Sequence, residues 1–258
     1  MKKLWNNCKV AFAMYSKIPM PKADWAKENM KYALCFFPWI GLVIGVLEAA
    51  AFKILGILNA GPVFFCAILT FLPVLITGGI HLDGYLDTMD ALSSWREKER
   101  RLEILKDPHA GAFAVIMGCS YFLLYAGAAS ELCSEIFPAY SMGFAVSRAL
   151  SGLSLLFFPN ANPKGTAAAF SNNAEKKRTA AVLVLTLVIV TSAAIILSGW
   201  YGILTLMTSL GVFGFYYYKS KKYFGGITGD LAGYFLSLCE LLQLIVLVLA
   251  HLGMECWL

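Results

Sequence analysis

Residues 179–198 read TAAVLVLTLVIVTSAAIILS. They contain no charged side chain and no proline. At 1.5 Å per residue, 20 helical residues reach about 30 Å, the thickness of a bilayer's hydrocarbon core. Such a run has no place in water, and the rest of the chain agrees with it. Of 258 residues, 59% are hydrophobic and only 14% are charged, with a mean hydropathy of +0.68. A soluble domain carries roughly a quarter charged residues. That balance excludes an intrinsically disordered chain, a disulfide-stapled secreted domain and a DNA-binding module. It leaves a membrane-embedded enzyme open.

Six further segments have similar length and apolarity: Tyr32–Gly56, Gly61–Ile80, Ala110–Ser130, Ile136–Phe158, Trp200–Tyr218 and Leu231–Leu252. The expected fold is therefore all-α: a polytopic integral membrane bundle of seven transmembrane helices, forming one domain over 1–258. An amphipathic interfacial helix from Leu4 to Met14 precedes it. The basic residues give the orientation. Seven Lys and Arg fall in 1–31, five in 81–109, four in 159–178 and three in 219–230, which accounts for nineteen of 21. The alternate connections at 57–60, at 131–135 and at the Ser198–Gly199 turn carry none. Positive loops stay in the cytoplasm, so the N-terminus and the long loops are assigned there, in the cytoplasmic (inner) membrane. The net charge of +5 then belongs to those loops and calls for no nucleic acid. Seven scattered cysteines without a C-x-x-C pair suggest neither disulfides nor zinc.

The loop after the second segment, residues 78–113, reads GGIHLDGYLDTMDALSSWREKERRLEILKDPHAGAF and holds seven of the sixteen acids. If the second segment continues as a helix, Asp83, Asp87 and Asp90 follow one another at i, i+4 and i+7, on one face. Three like charges so placed repel one another. A divalent cation relieves that repulsion, and hard oxygen ligands beside phosphate suit Mg²⁺. A solvated acidic first turn is the plainer reading, but carboxylates at a membrane boundary without basic partners are costly. The WREKERRLEILKD stretch alternates in sign and predicts a surface helix. His81 is placed to ligate, shuttle a proton or bond a phosphate, and a structural polar contact at the membrane edge accounts for it equally well. His109 is a weaker case, and His251 reads as interfacial.

The loop after the sixth segment, KSKKYFGGITGDLAGYF, supplies Gly225, Gly226, Thr228, Gly229 and Asp230. A glycine-rich turn feeding a helix N-terminus presents backbone N–H groups to phosphate, although a loop with an Asp N-cap accounts for it equally well. Lys219, Lys221 and Lys222 read as orientation charges. Glu48, Arg148 and Glu240 lie inside the apolar segments. Groups of that kind are either functional or paired across helices.

These residues carry a resemblance. GGIHLDGYLDTMDAL with ERRLEILKDPHAGAFAV resembles the cobalamin synthases, the adenosylcobinamide-GDP ribazoletransferases. SKIPMP with FPWIGLVIG is similar to the family's opening, with Lys17 at a position where arginine is usual. SRAL resembles its mid-chain arginine motif, and GGITGDLAGYF with CELLQL its close. FPNANPKGTAAAF aligns more loosely. The resemblance implies an Mg²⁺-dependent membrane transferase that joins adenosylcobinamide-GDP to α-ribazole, or its 5′-phosphate, and releases GMP. It further implies metal ligation by Asp83, Asp87, Asp90 and Asp230. Catalysis falls to the first three with His81, and substrate contacts to Lys106, Asp107, Arg148, Gly226, Thr228 and Gly229. The partners are those two substrates and the lipid bilayer, with a homo-oligomer left open. Two rivals compete. A CDP-alcohol phosphotransferase also carries spaced aspartates, but its D-G-x-x-A-R pattern fails here after Gly84. A transporter is opposed by the lack of an internal repeat and by acids at the boundary rather than the midplane.

Overall fold

The computed structural model describes residues 2–26 and 30–256, so Lys27 among the counted basic residues lies outside it. Eleven α-helices follow one another: α1 (Lys2–Tyr15), α2 (Phe37–Ile57), α3 (Pro62–Thr77), α4 (Ile80–Ser93), α5 (Lys98–Ile104), α6 (Ala112–Ala129), α7 (Phe137–Phe157), α8 (Thr166–Asn173), α9 (Lys176–Ser198), α10 (Trp200–Phe224) and α11 (Gly229–Glu255). A 3₁₀ turn, Ala33–Phe36, leads into α2. Proline opens α2, α3 and α7, where its missing N–H costs nothing. Among the described residues there is no strand, only an isolated bridge between Asn160 and Ile227.

Each of the seven expected segments contains one long α-helix. Four of the helices are long and apolar enough to cross a bilayer: α2 with its 3₁₀ turn, α6, α9 and α11. α7 and α10 have the length, at 21 and 25 residues, but are more polar. α7 carries Arg148 and a series of serines, and it is the buried centre of the bundle. α3 passes the same test only together with α4, and the pair is bent by 96°. Taken as one broken span, that pair would raise the candidate crossings among the described residues from four to five. α4 itself, with 14 residues and three aspartates, is too short and too polar to cross.

The second segment does not continue through the aspartates as one helix. The chain breaks at Gly78 and Gly79, whose φ values of +66° and +79° lie in the left-handed region. Only glycine adopts that region twice in succession without strain. α4 leaves the break in a new direction and packs along the first half of α11.

Many large apolar side chains lie on the outside of the helices. On α9, Val184, Leu185, Val188, Ile189 and Ile196 point outward, Ile196 with 81% exposure. Polar groups go inward instead. The buried Arg148 on α7 donates to Glu240 of α11 at 2.6 Å, and Ser147 donates to the same carboxylate oxygen. Such an inverted surface belongs to an integral membrane protein.

Candidate functional site

α4 and α11 cross where neither has a side chain to keep them apart. A Cβ on Gly84 would stand 2.6 Å from the carbonyl oxygen and 2.9 Å from the Cα of Asp230. A Cβ on Gly233 would stand 2.9 Å from the carbonyl oxygen of His81. This close crossing brings Asp230 of α11 to the face of α4 that carries Asp83 and Asp87. α4 keeps the expected register: Asp83 is exposed, while Asp87 and Asp90 are half-buried. Among the described residues, no Lys or Arg is ion-paired with any of the four aspartates. Burial, and then the charges of Asp83, Asp230 and Asp90, push the Asp87 carboxyl up to about 6. The group is thus a concentration of negative charge without a cation of its own.

Three cavities meet there. One of about 130 Å³ is lined by His81, Asp83, Ser151, Thr166, Gly229 and Asp230. A second, of about 220 Å³, includes Lys106, Asn162, Thr166, Thr228, Gly229 and Asp230. A third, of about 550 Å³, opens between the end of α1 and the break before α4, and Ser16, Lys17, Gly78 and Asp83 line it. Asp83 and Asp230 each belong to two of the three. His81 is buried, its Nε2 has no hydrogen-bond partner among the described residues, and burial followed by the nearby Arg148 holds its pKa well below the usual value. It faces the cavity as a neutral imidazole.

The remaining expected residues separate into two groups. Lys106, Thr228 and Gly229 join the site through the second cavity. Thr228, rather than Asp230, is the N-cap of α11: its hydroxyl accepts from the Leu231 N–H at 3.2 Å and donates to Asp230 at 3.3 Å. Gly226 lines none of these cavities. It lets the turn close against the 159–161 strand of chain, where the Ile227 N–H donates to Pro159 at 2.7 Å and the Ala161 N–H donates to Ile227 at 2.9 Å. Arg148 lies deeper, committed to Glu240 beneath His81. Asp107 points to solvent and pairs with His109 at 2.8 Å. Asp90 turns toward the N-terminus of α6, where its carboxylate occupies the space a Cβ on Gly111 would need.

The donor set suits a hard cation. No three of these carboxylates have oxygens that converge to within 4.8 Å of one another. Mg²⁺ keeps several waters and takes one or two carboxylates plus substrate phosphate, so it requires no closed cage. Sequence reasoning passed over Thr166, Asn162 and Ser151. Only the loosely aligned FPNANPKGTAAAF stretch pointed toward the first two, and nothing in the sequence marked Ser151.

The chain matches, over residues 7–248, the family model described as cobalamin-5-phosphate synthase. An adenosylcobinamide-GDP ribazoletransferase of Lachnoclostridium phytofermentans is 46% identical over 246 residues, covering 95% of this chain and 94% of that protein. One from Clostridium botulinum strain Alaska E43 is 31% identical over 245 residues, covering 95% and 97%. One from Brevibacillus brevis is 31% identical over 250 residues, covering 92% and 96%. No solved structure matches the chain.

Proposed function

Because this chain belongs to the cobalamin-5-phosphate synthase family, we propose that it joins adenosylcobinamide-GDP to α-ribazole, or its 5′-phosphate, with release of GMP. The observation that carries the residue assignment is the unpaired carboxylate group of α4 and α11, in which Asp83 and Asp230 line three cavities and Asp87 and Asp90 continue the same face of α4. The acceptor's ribose hydroxyl attacks the phosphorus on the aminopropanol side. A new P–O bond forms, the pyrophosphate P–O bond breaks, and the bridging oxygen leaves with GMP. In phosphoryl transfer the protein's task is positioning and charge stabilisation.

Asp83, Asp87 and Asp230 are the residues we assign to an Mg²⁺ ion. Magnesium there supplies charge neutralisation to the pyrophosphate and the departing GMP. Asp90, one turn further along the same face, is assigned the proton of the attacking hydroxyl, with a direct bond to metal as its other role. Its contact with Gly111 fixes where that carboxylate stands. Lys106 and the Thr228–Gly229 turn, in one cavity, and the neutral His81, in the adjoining one that Gly229 also lines, are assigned to the substrate's phosphates. Arg148 acts one layer below, as the partner that holds Glu240.

We assign the protein to the cytoplasmic membrane with seven crossings, the additional ones being α3, α7 and α10. The N-terminus and the aspartates face the cytoplasm. The support is the alternation of basic loops. The test combines purified full-length protein, Mg²⁺, adenosylcobinamide-GDP and either acceptor, with GMP and the cobamide followed together. Both products are expected in equal amounts. Absence of product with either acceptor form overturns the reading.

A further inference from the structure

A second group of ligating side chains lies at the opposite end of the bundle. His251 follows Asp230 on α11 by 21 residues, about 32 Å along the axis. Its Nε2 stands 3.2 Å from the Sγ of Cys133, in the turn between α6 and α7, and 3.4 Å from an oxygen of Glu255. Its Nδ1 lies 3.0 Å from the hydroxyl of Tyr201, at the start of α10. Glu135 completes the group: one ligand atom each from Cys133, Glu135 and His251 all lie within 4.8 Å of one another. Among the described residues this is the one set of three His, Cys, Asp or Glu that converges so closely.

The chemistry differs from that of the aspartate end. One thiol, one imidazole and one carboxylate form a borderline-soft donor set. It suits Zn²⁺ and related transition metals, and it is poor for Mg²⁺, which takes oxygen. Metal-ligating histidines nearly always give their other ring N–H to a fixed acceptor, which sets the tautomer. The Tyr201 hydroxyl is placed to be that acceptor. With the proton on Nδ1, the lone pair of Nε2 is left free on the side of the Cys133 thiol. The residues come from the α6–α7 turn, the α9–α10 hairpin and the end of α11. The hairpin is further pinned by Ser198, whose hydroxyl accepts from the Ala139 N–H at 3.1 Å.

We propose that Cys133, Glu135 and His251 form a structural zinc-class site, oriented by Tyr201, that ties together three helix ends on the face opposite the aspartates. Glu255 is within reach as a fourth ligand. Closing the site moves the thiol proton to solvent, because the thiolate is the form that binds metal.

The test is a Co²⁺ titration of the detergent-purified full chain after chelation. Wild-type protein is expected to give a saturable sulfur-to-cobalt charge-transfer band that Zn²⁺ abolishes. Cys133→Ser and His251→Gln lose the band, while Cys119→Ser, altered at an exposed position on α6, keeps it. Tyr201→Phe keeps the ligands and weakens binding by roughly 10- to 100-fold. Glu135→Gln, at an exposed position that poses no folding problem, also weakens it. A wild-type protein without a saturable band, or a band that survives in folded Cys133→Ser, overturns the proposal.

Discussion

The two ends of α11 gather ionisable groups in opposite ways. At its start, Asp230 meets Asp83 and Asp87 across a crossing narrowed by Gly84 and Gly233. There carboxylates gather without closing on one point, no Lys or Arg among the described residues is ion-paired with them, and cavities open on Asp83 and Asp230. At its end, His251 is held by a hydroxyl, a thiol and a carboxylate, each from a different segment. The first arrangement leaves charge for a substrate to bring an ion to. The second already brings a thiol, an imidazole and a carboxylate to one point, with Tyr201 at the other ring nitrogen. Between them lies Arg148–Glu240, a buried pair that the protein neutralises by itself. Whether a charged group is served by a ligand, a metal or a neighbour is thus decided by donor type and by access.

The strongest way to break this comparison is to remove charge at the open end. Asp83→Asn, Asp87→Asn and Asp230→Asn are each expected to lower GMP release by at least the order of 10²–10³-fold that one lost transition-state contact costs. Membrane insertion and the elution profile in detergent should be unchanged. Near-normal turnover in the first two would remove the aspartates from the reaction.

The next effect belongs to the closed middle. Arg148→Met leaves Glu240 buried without its partner, and removing one member of a buried pair costs about 3–5 kcal/mol. The loss should appear as a large drop in thermal stability. Arg148→Met combined with Glu240→Leu should recover part of it. A single variant as stable as wild type would show that the pair is not the closed unit inferred from its 2.6 Å contact.

How much of this could be read in advance follows from the physics of each part. Helices of apolar residues declare themselves by length, so the expected segments fell within a few residues of α2, α3, α6, α7, α9, α10 and α11. The spacing of Asp83, Asp87 and Asp90 marked a helix face wherever the helix went. The 96° break did not show. Two glycines in a row were visible, but their left-handed φ values are set by the packing around them. The Arg148–Glu240 pairing depends on helix neighbours far apart in sequence, and so does the partnerless state of Glu48, whose two oxygens are buried without hydrogen bonds among the described residues. Asp107 and Gly226 stood in promising motifs. Only the fold shows the first turned to solvent and the second used to close a turn. The His251 cluster was hidden for the same reason, since 118 residues separate His251 from Cys133.

A smaller perturbation tests the crossing that creates the open end. Gly84→Val places side-chain atoms where the Asp230 backbone lies, so α4 and α11 must separate. Overpacking of this kind costs about 1–3 kcal/mol. The loss of turnover should exceed the loss of stability, because the aspartates move apart even in molecules that remain folded. Gly127→Ala is the control: a Cβ there meets nothing within 4 Å. Equal effects of both substitutions would deny the crossing any special role.

The finest test asks whether the open end lacks a cation of its own. The carboxyl of Asp87 is raised from 3.8 to about 6 by burial and by Asp83, Asp230 and Asp90. A carboxyl raised in the folded state holds its proton more tightly there than in the unfolded chain. It therefore favours folding at low pH, and that contribution is lost as pH rises from about 4 to about 6. In chelator-treated protein, the melting temperature relative to that of Asp87→Asn should fall across this window. Added Mg²⁺ should flatten the difference, since a bound dication favours the ionised carboxylates it touches. A pH dependence unaltered by Mg²⁺ would mean that Asp87 is relieved by something other than a metal. The contrast between the two ends of α11 would then have to be redrawn from the remaining aspartates.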